Sequence, residues 1–273
     1  MGCLLACGIS KIFVSGGRGG CVVHPRAFIY RYVRYHTTVT SGLRAVAQLA
    51  RASPWVAVIT APIANASQIA ARQVQRYPTI SADHGTRTAL RRAGLPAVHL
   101  VIMPPDAQTV TMLLLSNVIP LESRENWQLA LDPDWPLIWR NYQLARSPSG
   151  AVTWRLSEQA RGHYRQRINR LITGRGGVPA LGQRPYQLPP ETARLQVLRL
   201  AEHLCHYPGF SGIRSDVFAL AQHSTRVWKS THSDEPYPFW PTMPYARFAR
   251  PQTAPLASLN QEENNYETEV LAT

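Results

Sequence analysis

Lysine is nearly missing from this chain: only Lys11 and Lys229 are lysines, and the other 27 of 29 basic side chains are arginine. Acid is nearly missing from its first third, where Asp83 is the single carboxylate against twelve cations in residues 1–94. No apolar run approaches the roughly 18 residues of a membrane-spanning helix, which excludes a helical span and predicts no membrane partner. Four cysteines, Cys3, Cys7, Cys21 and Cys205, are too few and too unevenly spaced for a disulfide framework, so a reducing cytoplasm is the expected compartment. The opening Met-Gly-Cys-Leu-Leu-Ala-Cys lacks the basic flank and apolar length of a signal peptide, and it matches a lipoprotein cleavage site only weakly. The glycine-rich residues 15–20, Ser-Gly-Gly-Arg-Gly-Gly, lack the Gly-Lys-Ser/Thr ending of a phosphate-binding loop. Cys21 and His24 have metal-like spacing without a second pair. No cofactor, metal or catalytic residue is predicted from these patterns.

What is present is positive charge, +13 in total, concentrated in two blocks. The first is the acid-poor residues 1–94; the second is 151–184, with seven arginines against Glu158. Residues 95–150 and the C-terminal segment are net acidic. Separated basic blocks point to a polyanionic partner, nucleic acid first, as DNA or RNA. The planar arginine fork suits phosphate and guanine, although GC-rich coding explains an arginine bias equally well. Coding bias does not explain the excess of base over acid.

Local patterns predict an α+β fold: a mixed, largely antiparallel sheet of about five strands with packed helices, plus a C-terminal helical pair. The central feature is two apolar runs, residues 97–103 and 109–116, around the turn Pro104-Pro105-Asp106. Their continuous apolar character implies cover on both faces. Before them, Ser41 is placed as the cap of a helix to Ala50, residues 55–61 as a strand, Asn65 as the cap of a helix to about Tyr77, and Ser81 or Asp83 as the start of a helix ending at Gly94. Asp132-Pro133-Asp134 is read as a turn rather than a metal-binding acidic signature. A second hairpin joins 137–145 to 151–156, where Val152, Trp154 and Leu156 alternate with Thr153 and Arg155, as in a strand covered on one side.

Ser157 then caps a helix with Ala160, Tyr164, Ile168, Leu171 and Ile172 at helical spacing and Gly174 as its stop. Arg161, Arg165, Arg167 and Arg170 occupy its other faces with almost no interleaved acid, and Arg175 follows between glycines. These five arginines are the expected phosphate contacts, with Arg87, Arg91 and Arg92 as a second set. After a Pro/Gly/Gln linker, a helix from Pro190 is expected to bury Leu195, Leu198, Ala201 and Leu204 or Cys205. A last helix, residues 213–230, carries Ile213, Val217, Leu220 and Val227 or Trp228 on one stripe. Glu202, His203, Cys205 and His206 contain ligand types but read better as a polar helix face. The two helices also admit a helix-turn-helix reading, though their connection is long for one.

The expected organisation is a basic leader (1–36), one α+β domain (37–230, with its helical part at 189–230), and a Pro/aromatic segment with an acidic, disordered tail (231–273). The leading functional expectation is a cytoplasmic, non-enzymatic nucleic-acid-binding protein. Two alternatives are a nicking or replication-initiation enzyme, with His99 and Tyr164 as its strand histidine and helix tyrosine, and an assembly protein that meets an acidic protein partner. The enzyme pattern is incomplete, since position 101 is Val where a second strand histidine is needed.

Overall fold

A computed structural model describes residues 33–174, 189–246 and 250–259. In chain order its first half comprises β1 (Arg34–His36), α1 (Val39–Leu49), β2 (Trp55–Pro62), α2 (Ile63–Arg76), a 3-10 turn (Pro78–Ser81), α3 (His84–Arg92), β3 (His99–Ile102) and β4 (Thr109–Ser116). The second half has β5 (Trp127–Leu129), β6 (Ile138–Trp139), β7 (Tyr142–Arg146), β8 (Val152–Leu156), α4 (Glu158–Thr173), α5 (Pro190–Cys205), α6 (Ser211–Thr231) and β9 (Thr253–Pro255). The fold is α+β, as expected, but it holds two sheets: a mixed six-stranded sheet ordered β5-β2-β4-β3-β1-β9 and an antiparallel β6-β7-β8 meander. No helix among the described residues is long and apolar enough to cross a membrane.

β3 and β4 pair antiparallel at the centre of the large sheet, with Val101 opposite Leu113 and Ile102 opposite Met112. Because successive strand side chains point to opposite faces, β4 feeds two cores at once. Leu113 and Leu115 join Leu43, Val46 and Ala47 of α1 in one buried cluster, while Met112 joins Ala66 and Ala70 of α2 in another. The apolar run is therefore continuous because both faces of the sheet are covered, as its composition implied.

Helix α1 runs between the sheets. Its outward stripe reaches the meander, where the fully buried Trp154 donates its indole N–H to the Leu43 carbonyl at 2.6 Å. At the other end of the meander, Arg140 takes a left-handed conformation (φ 53°) in the β6–β7 turn. Its guanidinium donates to the Pro104 and Pro105 carbonyls and pairs with Asp106, which pins the meander tip to the β3–β4 turn.

Several helix starts differ from expectation. Thr38, not Ser41, caps α1; Ser41 lies in its first turn and its hydroxyl contacts His36 Nδ1 at 2.7 Å and accepts from Gln252 N–H at 3.0 Å. α2 begins directly after Pro62 without a side-chain cap, ahead of Asn65. Asp83 does cap α3, accepting from Thr86 N–H. In α5 the buried stripe is Ala193, Val197, Leu200, Ala201 and Leu204, with Leu195 58% exposed, so the expected stripe is rotated toward solvent at its start. Small alanines rather than the larger leucines face the core there, and composition by size misplaces such a face.

The sheet also extends past the expected 37–230 limits on both sides, since β1 precedes residue 37 and β9 pairs antiparallel with it. The 1–32 leader region and the acidic tail from Asn260 lie outside the described residues.

The polar face of β8 is covered rather than open to water. Ser211 and Gly212 at the start of α6 donate to Thr153 Oγ1, and a Cβ on Gly212 would stand 2.5 Å from the Trp154 carbonyl oxygen. One turn on, Asp216 is 3% exposed and accepts from Arg155 Nη2 at 2.7 Å and from the Leu156 backbone N–H at 2.9 Å. The hydrogen bond to this carboxylate, and after it the carboxylate's charge, holds the Arg155 guanidinium above its ordinary pKa. Removing this carboxylate leaves the buried Leu156 N–H and the Arg155 guanidinium without their acceptor and takes away the charge facing Arg161. Asp216→Ala is therefore expected to destabilise the fold by about 3 kcal/mol, read as a lower urea midpoint at unchanged slope.

Candidate nucleic-acid interface

α4 is bounded as its sequence predicts: Ser157 accepts from Ala160 N–H at 3.2 Å, and Gly174 ends the helix at φ 67°. Ala160, Tyr164, Ile168 and Ile172 are buried against α5 and α6, which leaves the arginine face outward. Arg165, Arg167 and Arg170 are exposed. Among the described residues none of the three has an ion-pair partner. A shallow depression of about 380 Å³ lies on this face between His163, Arg167, Arg170 and Leu171. Two of its four lining residues, Arg167 and Arg170, are arginines.

Arg161 departs from the set. Its side chain is 23% exposed, 3.4 Å from Glu158 and 3.8 Å from Asp216. The near-absence of interleaved acid in α4 does not leave this arginine unpaired, because beside Glu158 a second partner comes from α6, far along the chain. Arg161 is a structural cation, and Arg175 lies outside the described residues.

Arg226 of α6, absent from the expected set, joins the face instead. His223 of α6 contacts Asn169 Oδ1 of α4 at 2.8 Å, and its pKa is lowered by burial and then by the charges of Arg226 and Arg165. The charges of Arg165 on α4 and of the exposed Arg226 on α6 both act on this histidine, so the basic surface spans two helices. In the sequence Arg226 is one polar residue among several on its helix; only the α4–α6 contact brings it to Arg165.

The second expected set stands on α3, beside the 3-10 turn and β3. Arg87 Nη1 donates to the Thr79 and Ile80 carbonyls, at 3.4 and 3.2 Å. Arg91 donates to the Arg87 carbonyl and to Thr88 Oγ1, and Arg92 is exposed. Two of these three guanidiniums are thus engaged in holding the local backbone.

The pairing of His99 with Tyr164 gains nothing from the geometry. His99 is on β3, and burial together with Arg87, Arg91 and His84 lowers its pKa to about 4. Tyr164 is 5% exposed in the core, its ring edge-on to that of Tyr207, which also meets Tyr142, with its hydroxyl against that of Tyr207 and its pKa raised chiefly by burial. A phenol buried among other phenols and held protonated is not presented to a phosphodiester.

Other candidates resolve into structure. Asp132 Oδ1 accepts from the Asp134 and Trp135 N–H groups, as a turn former does. Cys205 points inward and donates to the Pro241 carbonyl, and His203 meets the Tyr207 ring edge-on. Among the described residues no three His, Cys, Asp or Glu side chains gather as a metal site. The α5–α6 connection is residues 206–210, and α6 is seated on β8 and α4, unlike a helix-turn-helix reader with its short turn.

A cleft of about 650 Å³ lies between Arg76, Tyr77, Leu90, Val98 and Arg124. Beside it Glu125 is engaged by Arg76, Tyr77 and Ser123. Burial alone would raise the Glu125 pKa, but the hydrogen bonds from Tyr77 and Ser123 and the Arg76 charge lower it. A carboxylate so occupied is no general base. Comparison with protein-family models, curated proteins and solved structures finds no match to the chain.

Neutral His99 also sets a pH dependence. Its folded pKa lies below that of the unfolded chain, so the unfolded state takes up the proton first on acidification. Its contribution is fully present above about pH 6.5 and is lost as pH falls toward 4. His99→Gln is expected to flatten the decline in melting temperature over that window; a wild-type slope retained in the variant would refute the assignment.

Proposed function

We propose that this chain is a nucleic-acid-binding protein, non-enzymatic and cytoplasmic, that holds phosphates on the joint face of α4 and α6. One observation carries the proposal: Arg165, Arg167, Arg170 and Arg226 are exposed and without ion-pair partners among the described residues, while Arg155 and Arg161 nearby are neutralised by Asp216. Exposed guanidiniums with no acid beside them keep their full attraction for a polyanion. Two packed helices hold them on a rigid base, so little ordering of the backbone opposes binding. A cytoplasmic location accords with the sparse cysteines and the free thiol of Cys205.

Phosphate contact releases counterions, so affinity must fall steeply with salt. Four such contacts lower it roughly 100-fold between about 50 and about 200 mM salt. Anisotropy titrations against single-stranded DNA, duplex DNA and RNA read this directly. Arg165→Gln and Arg226→Gln are each expected to reduce the slope of log affinity against log salt by about 0.7 to 0.9. Their melting temperatures should match wild type, since both side chains are on the surface. Affinity that is flat with salt would refute the reading and leave the basic face to an acidic protein partner.

A further inference from the structure

The outer ridge of α6 leads from the basic face to an aromatic one. Phe218, Gln222 and Arg226 are all exposed and spaced four residues apart, so they line one side of the helix over about 12 Å. At the Phe218 end a groove of about 430 Å³ opens between α6 and residues 237–243, walled by Phe218, Tyr237, Phe239 and Trp240. Phe218 is 64% and Phe239 85% exposed. Two phenyl rings left in water beside a cationic face are the least expected feature of this surface.

The groove is a built feature. The Tyr237 hydroxyl donates to the Ala221 carbonyl at 3.2 Å, and its ring lies edge-on to Trp228 at 6.3 Å and to Phe239 at 5.8 Å. Arg214 donates to the Met243 carbonyl at 2.6 Å and lies 3.3 Å over the Tyr245 ring. The segment crossing α6 is therefore anchored at both ends, and the exposed rings stand on a fixed support. Acid stays to one side: Asp234 and Glu235 precede the segment, and Glu235 lies 3.6 Å from Arg194.

We propose that this surface binds single-stranded nucleic acid, with phosphates along Arg165 and Arg226 and bases stacked on Phe218 and Phe239. The inference rests on the nucleic-acid reading above and adds to it the strand state of the ligand. A ligand for this face must offer negative charge and flat apolar rings in alternation, which an unpaired strand does. In a duplex the base faces are already stacked on one another and cannot reach the phenyl rings.

The test uses the full 273-residue chain. Anisotropy is read with oligo(dT), oligo(rU), an abasic deoxyribose-phosphate oligomer of equal length, and a duplex. Both base-bearing single strands should bind more tightly than the abasic strand and the duplex, and the tighter of the two identifies DNA or RNA as the natural class. Phe218→Ala and Phe239→Ala are each expected to weaken binding of that strand on the order of tenfold with the salt slope unchanged, while Phe218→Trp retains it. Equal, salt-sensitive affinity for all four ligands, with no effect of either alanine variant, would overturn this inference and leave the phosphate-binding reading standing. No binding of any ligand at low salt would overturn both.

Discussion

Asp216 is the anchor on which the second half of the molecule depends. A carboxylate with 3% of its surface exposed is stable only where donors surround it, and here they come from the Leu156 N–H, Arg155 and Arg161. Those donors belong to β8 and α4, so satisfying one charge fixes strand and helix against α6. The same contact sorts the arginines. Those near Asp216 are neutralised within the fold, whereas Arg165, Arg167, Arg170 and Arg226 face water. The basic surface is thus what remains after Asp216 has been shared between Arg155 and Arg161.

The first half is governed by a different constraint, the demand of β3 and β4 for cover on both faces. α2 supplies one cover and α1 the other, and α1 must then bury its own outer stripe. The meander meets that need with Trp154 and Leu144, and Arg140 ties its tip to the β3–β4 turn. One contiguous core therefore runs from the large sheet through α1 to the C-terminal helices. The basic face gains rigidity from this continuity, because α4 and α6 rest on the same core as the central strands. Distance between the sites of charge and the apolar centre is bridged by packed side chains rather than by linkers.

Much of this was legible in local sequence. The β3–β4 hairpin, the Asp83 cap, α4 from Ser157 to Gly174 and the turn joining β7 to β8 all follow from patterns within a dozen residues, where period, cap and turn chemistry act over short range, although the expected strand 137–145 breaks at Arg140 into β6 and β7. Three features were not legible for one shared reason. The division into two sheets, the capture of Arg161 by Asp216, and the joining of Arg165 with Arg226 each depend on residues far apart in the chain. A helix-by-helix charge count treats Arg161 and Arg165 alike, yet one faces a buried acid and the other faces solvent. By contrast, the helical stripe of Ile213, Val217 and Leu220 already placed Leu220 at the core, and Phe218, off that stripe, is 64% exposed.

The sequence by itself determined the α+β class, most element boundaries on the α3-to-β4 and β7-to-α4 stretches, and the excess of positive charge, because these follow from local conformational preference and composition. The tertiary structure decided which cations remain available and which aromatics stay exposed. Availability is a property of what packs against a side chain, and that partner is chosen by the fold of distant segments.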